Sequence, residues 1–160
     1  LDYYRMHASR EAQERIFRRQ IRMARDLDLP IIVHDREAHE AVLQELQALG
    51  NGRGVIHCFS GDYALAEEFL KLGYHISIPG TVTYRGAKVL KNVAGRIPLE
   101  RLLIETDCPF LTPAQEKGKR NEPLFVSYTA REIAGIRGLD IDQVALQTAH
   151  NATELFHLEE

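Results

Sequence analysis

Cysteine is scarce in this chain of 160 residues, and the two that occur, Cys58 and Cys108, are isolated and have no CxxC spacing. A disulfide framework is therefore a poor fit, and a reducing compartment a better one. Positive charge is not in excess either: 20 Lys and Arg stand against 23 Asp and Glu. The surface is thus not the uniformly basic one of a non-specific nucleic-acid binder, and any phosphate binding has to be local. No apolar run is long enough to span a bilayer, and the opening LDYYRMHASREAQERIF is too polar for a signal peptide. These absences lead us to expect a cytoplasmic protein with no membrane partner. What is present is 44% hydrophobic residues, enough for one ordinary domain with a sizeable core and too much for a disordered chain.

Apolar runs alternate with amphipathic segments. Ser9 is placed to cap a helix with Phe17, Ile21 and Ala24 on one face, and Pro30 leads into the run IIVH. Val42, Leu46 and Leu49 mark a second helix, ended by Gly50 before GVIHCF. Asp62 opens a third, with Leu65, Ala66, Phe69 and Leu70 on its face, and YHISIPG follows. A fourth helix over 87–95 precedes RLLIETD. Beyond it the pattern predicts only helices, over 123–136 and 140–156, with Pro123 suited to a first helical position. Strands alternating with helices through short loops predict an α/β fold, a parallel sheet covered by helices.

The polar residues fall at one end of that sheet. His34 ends PIIVH, His57 ends GVIH and Asp107 ends LLIETD, and the carboxyl ends of parallel strands are where α/β active sites are built. If residues 102–107 are extended, Leu103, Glu105 and Asp107 share a face. A carboxylate facing an interior needs a pairing partner, hydrogen bonds or a cation. Two imidazoles and a carboxylate are good donors for a divalent ion such as zinc or manganese. On this reading His34, His57 and Asp107 are metal ligands, and Glu105, one layer deeper, orients them.

A structural reading stands beside each of these. A single histidine at a strand end is commonly a hydrogen-bonded structural residue, and Glu105 fits structural hydrogen bonding as well as it fits support of a metal site. It is the threefold coincidence that favours metal. His7, His39, His150 and His157 lie in expected helices or their leads and read as solvated. His75 alternates with Tyr74 and Ile76, which leaves its facing open. Cys58 and Cys108 each follow a candidate ligand by one residue, so they are expected to point toward the covering helices as core thiols.

The stretches IIVHDREAHEAV, GVIHCFSG, ISIPG, LLIETDCPFLTP, GKRNEP and HNATELF together resemble the TatD family of metal-dependent deoxyribonucleases. The resemblance covers nearly the whole chain. It implies an amidohydrolase-like (β/α)8 barrel of TIM type, of which IIVH, GVIH, YHISIPG and LLIETD would be strands five to eight, with covering helices and C-terminal helices. It also implies that His34, His57 and Asp107 are ligands on strands five, six and eight. The family's HxH pair on strand one has no counterpart, and its glutamate on strand four would fall just before Leu1. Residues 1–160 therefore resemble the C-terminal half of a barrel that ordinarily needs about 250 residues.

For the intact enzyme the resemblance implies hydrolysis of DNA phosphodiesters, acting from 3' ends or on single strands, with one or two divalent ions (Mg, Mn or Zn). Asp107 would be both ligand and general base. Arg36, Arg85, Lys119 and Arg120, in loops around the strand ends, are candidates for holding phosphate. Two other readings remain open at this level. A related hydrolase could cleave the ester of a D-aminoacyl-tRNA with the same metal geometry, or the chain could be a non-catalytic association module. A half barrel would also have two open edges and an apolar inner face carrying Ile32, Val55 and Leu103, which predicts self-association or pairing with a missing half.

Overall fold

The computed structural model describes residues 1–158. Ser9 accepts a hydrogen bond from the Ala12 backbone N–H and so starts helix α1, Arg10–Asp26. Strand β1, Ile31–His34, follows, then α2, His39–Leu49, and β2, Gly54–His57. Asp62 caps α3, Tyr63–Lys71, by accepting from Leu65 N–H, and β3, His75–Ile78, comes next. After α4, Lys88–Arg96, the last strand is β4, Leu102–Ile104. Helix α5, Val126–Arg137, is introduced by a 3-10 turn at Pro123–Phe125, and α6, Ile141–Phe156, begins with a capping box between Asp140 and Gln143. None of the described helices is long and apolar enough to cross a membrane.

The strands pair in chain order, all parallel, with His34 beside His57 in the ladder. Parallel neighbours need crossover helices, and α2, α3 and α4 are those crossovers. Gly54 is required at the entry to β2, because a Cβ there would lie 2.4 Å from the Ile31 carbonyl oxygen of the adjacent strand. The core lies between the sheet and the helices. Ile56, Ile76 and Leu102 meet Val42, Phe69, Val93 and Ile133, all buried. Each fully buried side chain of this size contributes about 1.5–3 kcal/mol.

The other face of the sheet differs from expectation. Val55 and Leu103 are covered rather than bare, because α6 brings Leu155, Ala152 and Phe156 against them. Asn151 fixes that helix by donating from Nδ2 to the carbonyls of Leu99 and Leu102, each at 2.8 Å. Only Ile32 of the three remains open, 65% exposed. Strand β4 is also shorter than the sequence suggests, ending at Ile104 rather than Asp107.

On the outer side of β1, residues 1–3 run parallel to its continuation. Arg36 N–H donates to Leu1 O and Tyr3 N–H to Arg36 O, giving a parallel bridge between Asp2 and Arg36. Below this bridge no described strand pairs with the free edge of β1. An apolar groove of about 340 Å³, lined by Phe17, Met23, Leu27 and Ile32, lies along it.

Candidate metal centre

The parallel register places His34 and His57 on adjoining strand ends, with ring centroids 6.2 Å apart. Glu105 continues from β4, its backbone N–H still donating to Ile78 O at 3.2 Å. Its Oε2 accepts from both His57 Nδ1, at 3.0 Å, and the Cys58 backbone N–H, at 3.1 Å. Oε1 is equally near Nδ1 but is not aligned with it, and this buried oxygen has no hydrogen-bond partner. With a carboxylate on Nδ1, the neutral imidazole carries its proton there and presents a lone pair at Nε2. That nitrogen faces Asp107 Oδ1 at 3.4 Å. The hydrogen bond that His57 donates to Glu105 raises the His57 pKa above its ordinary value against the opposing effect of burial, and the Asp107 carboxylate adds to the rise.

Asp107 arrives by a route that strand alternation does not describe. Its φ is 54°, in the left-handed region that aspartate tolerates better than most residues. The turn it makes aims its carboxylate at the imidazole from the opposite side to Glu105. His34 is turned outward, with Nε2 3.6 Å from Asp2 Oδ2. Asp2 in turn accepts from the backbone N–H groups of Arg5 and Tyr4, the first of which does most to hold its carboxyl below the usual range.

His34, His57, Asp107 and Asp2 line a cleft of about 850 Å³ together with Arg36, Cys58 and Phe110. Of the four cations considered for phosphate, Arg36 lies in the cleft, its guanidinium 4.2 Å above the Tyr4 ring. Lys119 is ion-paired with Glu116 at 2.6 Å, while Arg85 and Arg120 are exposed and do not line the cleft. Arg5 does line it and was not singled out in the sequence.

The expectations for His39 and Cys108 change, and the open facing of His75 is resolved. His39 is not simply solvated, since its Nδ1 lies 2.8 Å from Oδ2 of the buried Asp35, which also accepts from Ala38 N–H. The available signal was an aspartate just ahead of a helix start, whose short carboxylate reaches groups three and four residues on. His75 is buried, and its Nδ1 has no partner. Cys58 is partly buried, and burial followed by the carboxylates of Glu105 and Asp107 pushes its thiol up to about 12. Cys108, in contrast, is exposed, because the turn at Asp107 directs it to solvent rather than to the covering helices.

A divalent ion fits this donor set. Two ligands bound at about 2.1 Å in tetrahedral directions lie about 3.4 Å apart, the separation found between His57 Nε2 and Asp107 Oδ1. An imidazole held at its other nitrogen by a carboxylate is the usual arrangement behind a metal ligand. Among the described residues, however, no three His, Cys, Asp or Glu side chains are already gathered into a metal-holding group. His34 would have to leave Asp2 to become the third.

Residues 1–157 match the family model described as TatD related DNase. The chain is 42% identical to the uncharacterized metal-dependent hydrolase YabD of Bacillus subtilis, over 99% of this chain and 63% of that protein. It is 38% identical to a protein of Erwinia amylovora named 3'-5' ssDNA/RNA exonuclease TatD, over 99% of this chain and 64% of that one. Among solved structures, YJJV, a TatD homolog from Escherichia coli, superposes with a TM-score of 0.87 at 32% identity, covering 93% of this chain and 58% of its own. A TatD family hydrolase from Entamoeba histolytica gives 0.85 at 26% identity, covering 98% and 60%. The chain thus spans about three fifths of the length of these relatives. With the four parallel strands and the strand-end cluster of His57, Glu105 and Asp107, these matches assign the chain to the TatD family of metal-dependent hydrolases, with their TIM-barrel-like α/β fold.

Proposed function

We propose that this chain supplies the C-terminal part of a divalent-metal-dependent nuclease that hydrolyses phosphodiesters of DNA, working on single strands from the 3' end. The observation that supports the reading is the linked arrangement Glu105–His57–Asp107, in which one carboxylate fixes the imidazole tautomer and the other shares its free nitrogen. The substrate class is supported by the name of the Erwinia relative. In this proposal His57 and Asp107 hold the ion and His34 swings from Asp2 to join them. A bound divalent ion supplies acidification of a water and polarisation of a phosphoryl oxygen. Asp107 receives the proton of the attacking water at its carboxylate, and Glu105 keeps His57 Nε2 directed at the site. Arg36, rigidified against Tyr4, holds the phosphate within the cleft. The proton balance closes when the nucleoside hydroxyl leaves with a proton from solvent and Asp107 returns its own proton to solvent. In the intact protein, chelation should abolish hydrolysis of single-stranded DNA, and manganese or magnesium should restore it. Undiminished activity in excess chelator would reject this function.

The four strands correspond, in this proposal, to strands five to eight of a barrel whose remaining strands lie outside these residues. The free edge of β1, the exposed Ile32 and the groove beside it support this. The isolated chain should then self-associate, or bind the complementary half, and should have negligible nuclease activity. Light scattering and a nuclease assay on a purified chain of this length test both points, and a monodisperse, fully active monomer would refute them.

A further inference from the structure

Phe110 is 68% exposed and lines the cleft beside His57 and Asp107. A lone exposed apolar side chain is ordinary on a protein surface, so exposure by itself says little. Its support is what sets this one apart. Phe110 N–H donates to Asp107 O at 3.0 Å, which ties the ring's backbone to the turn that carries a candidate ligand. Asn121, only 2% exposed, donates from Nδ2 to the carbonyls of both Thr106 and Phe110. Its own N–H donates to Pro109 O, and its Oδ1 accepts from Glu122 N–H. Asn121, with its side-chain amide fully engaged, therefore holds the loop at three points, Thr106, Pro109 and Phe110. The backbone that carries the exposed Phe110 ring is thereby held beside Asp107 at the cleft. Arg36 and Arg5 face the same cleft, so a flat apolar surface and cationic groups meet there, as a nucleotide requires: phosphate on the cations and base on the ring.

We propose that Phe110 is a stacking platform for the base of the terminal nucleotide, setting the position of the adjacent phosphodiester over the metal centre. This inference rests on the nuclease reading given above. Stacking by alanine substitution is worth about 1–3 kcal/mol per base, which corresponds to about 5- to 150-fold in a rate or binding ratio. The discriminating substrates are two single-stranded oligonucleotides identical except that one ends in a natural 3' nucleotide and the other in a 3' abasic nucleotide. In the native protein at its natural length, kcat/KM for removal of the terminal nucleotide should favour the natural end by a factor in that range. Phe110→Leu, which keeps an apolar side chain but no π face, should bring the ratio close to one. Phe110→Trp should restore it.

A Phe110→Leu protein that loses activity in equal proportion on both ends, leaving the ratio intact, would overturn the inference while leaving the nuclease reading standing. So would a native protein that cleaves both ends equally well. Failure of the native protein to hydrolyse either oligonucleotide would instead defeat the nuclease reading and the inference with it.

Discussion

Replacing Glu105 separates the role of its charge from that of its shape. Oε2 alone accepts from His57 Nδ1 and Cys58 N–H, while Oε1 has no partner. In Glu105→Gln, the amide oxygen can take the place of Oε2 and keep both hydrogen bonds, with the NH2 group where Oε1 was. The negative charge is lost, and the NH2 group lies 3.0 Å from Nδ1 with no acceptor of its own. In Glu105→Ala both donors lose their acceptor, at about 1–3 kcal/mol for each one left buried and unpaired. Groups that orient a metal-bound histidine are typically worth about 10–100-fold in metal affinity, or about 1.4–2.7 kcal/mol. We expect Glu105→Gln near the lower end and Glu105→Ala near or above the upper end, measured by calorimetric titration with manganese.

The metal-free protein in chelator offers a second readout. Because the Glu105 hydrogen bond is the main reason that the His57 pKa lies above its ordinary 6.5, an NMR titration of Glu105→Gln should show it fall. The sign for stability follows: with a raised folded value, the His57 contribution is full below 6.5 and is lost as pH rises through the folded pKa. Glu105→Gln should flatten that part of the stability profile. Equal metal affinity in native protein and Glu105→Ala would refute the reasoning.

Asp107→Asn should weaken manganese binding by more than Glu105→Gln does, since it changes a donor rather than a donor's support; titration on the same protein preparation checks the order. Asn121→Ala should lower stability by about 1–3 kcal/mol, read in urea unfolding, because two loop carbonyls lose their donor. Iodoacetamide at pH 8 should modify the exposed Cys108 and spare Cys58, whose thiol is pushed up to about 12; peptide mass spectrometry distinguishes the two sites. Ile32→Lys should reduce self-association of the isolated chain in light scattering, because it places a charge on the exposed one of the three apolar residues Ile32, Val55 and Leu103.

The helices and strands were legible because their signals are local: a capping side chain before each of α1 and α3, and short β-branched runs ending in histidine. His34 and His57 needed only a parallel register to become neighbours. Asp107 reached the imidazole for a different reason from the expected one. The strand stops at Ile104 and a left-handed residue, not alternation, supplies the direction. That φ is decided by the turn as a whole and leaves no mark in the LLIETD pattern. The burial of Val55 and Leu103 was equally hidden, because it depends on α6 returning across the sheet, a packing choice made about a hundred residues from Val55 and about fifty from Leu103. The His39–Asp35 pair was readable from its spacing, but it sits at a helix start where solvated histidines are the simpler expectation.

The strands that carry the site are three or four residues long, and His34 and His57 close the β1–β2 ladder while Glu105 and Asp107 lie beyond the end of β4. Beyond these ends the backbone keeps only scattered links, such as Glu105 N–H to Ile78 O, and side chains join the rest of the rim. A cation gripped by His57 and Asp107 would fasten segments fifty residues apart at the place where the backbone ceases to do so. Such a clasp binds the folded rim and not the unfolded chain, so at a concentration 100 times its dissociation constant it adds about 2.7 kcal/mol to the stability of the fold. Metal supply would then set how long the protein lasts as well as whether it works.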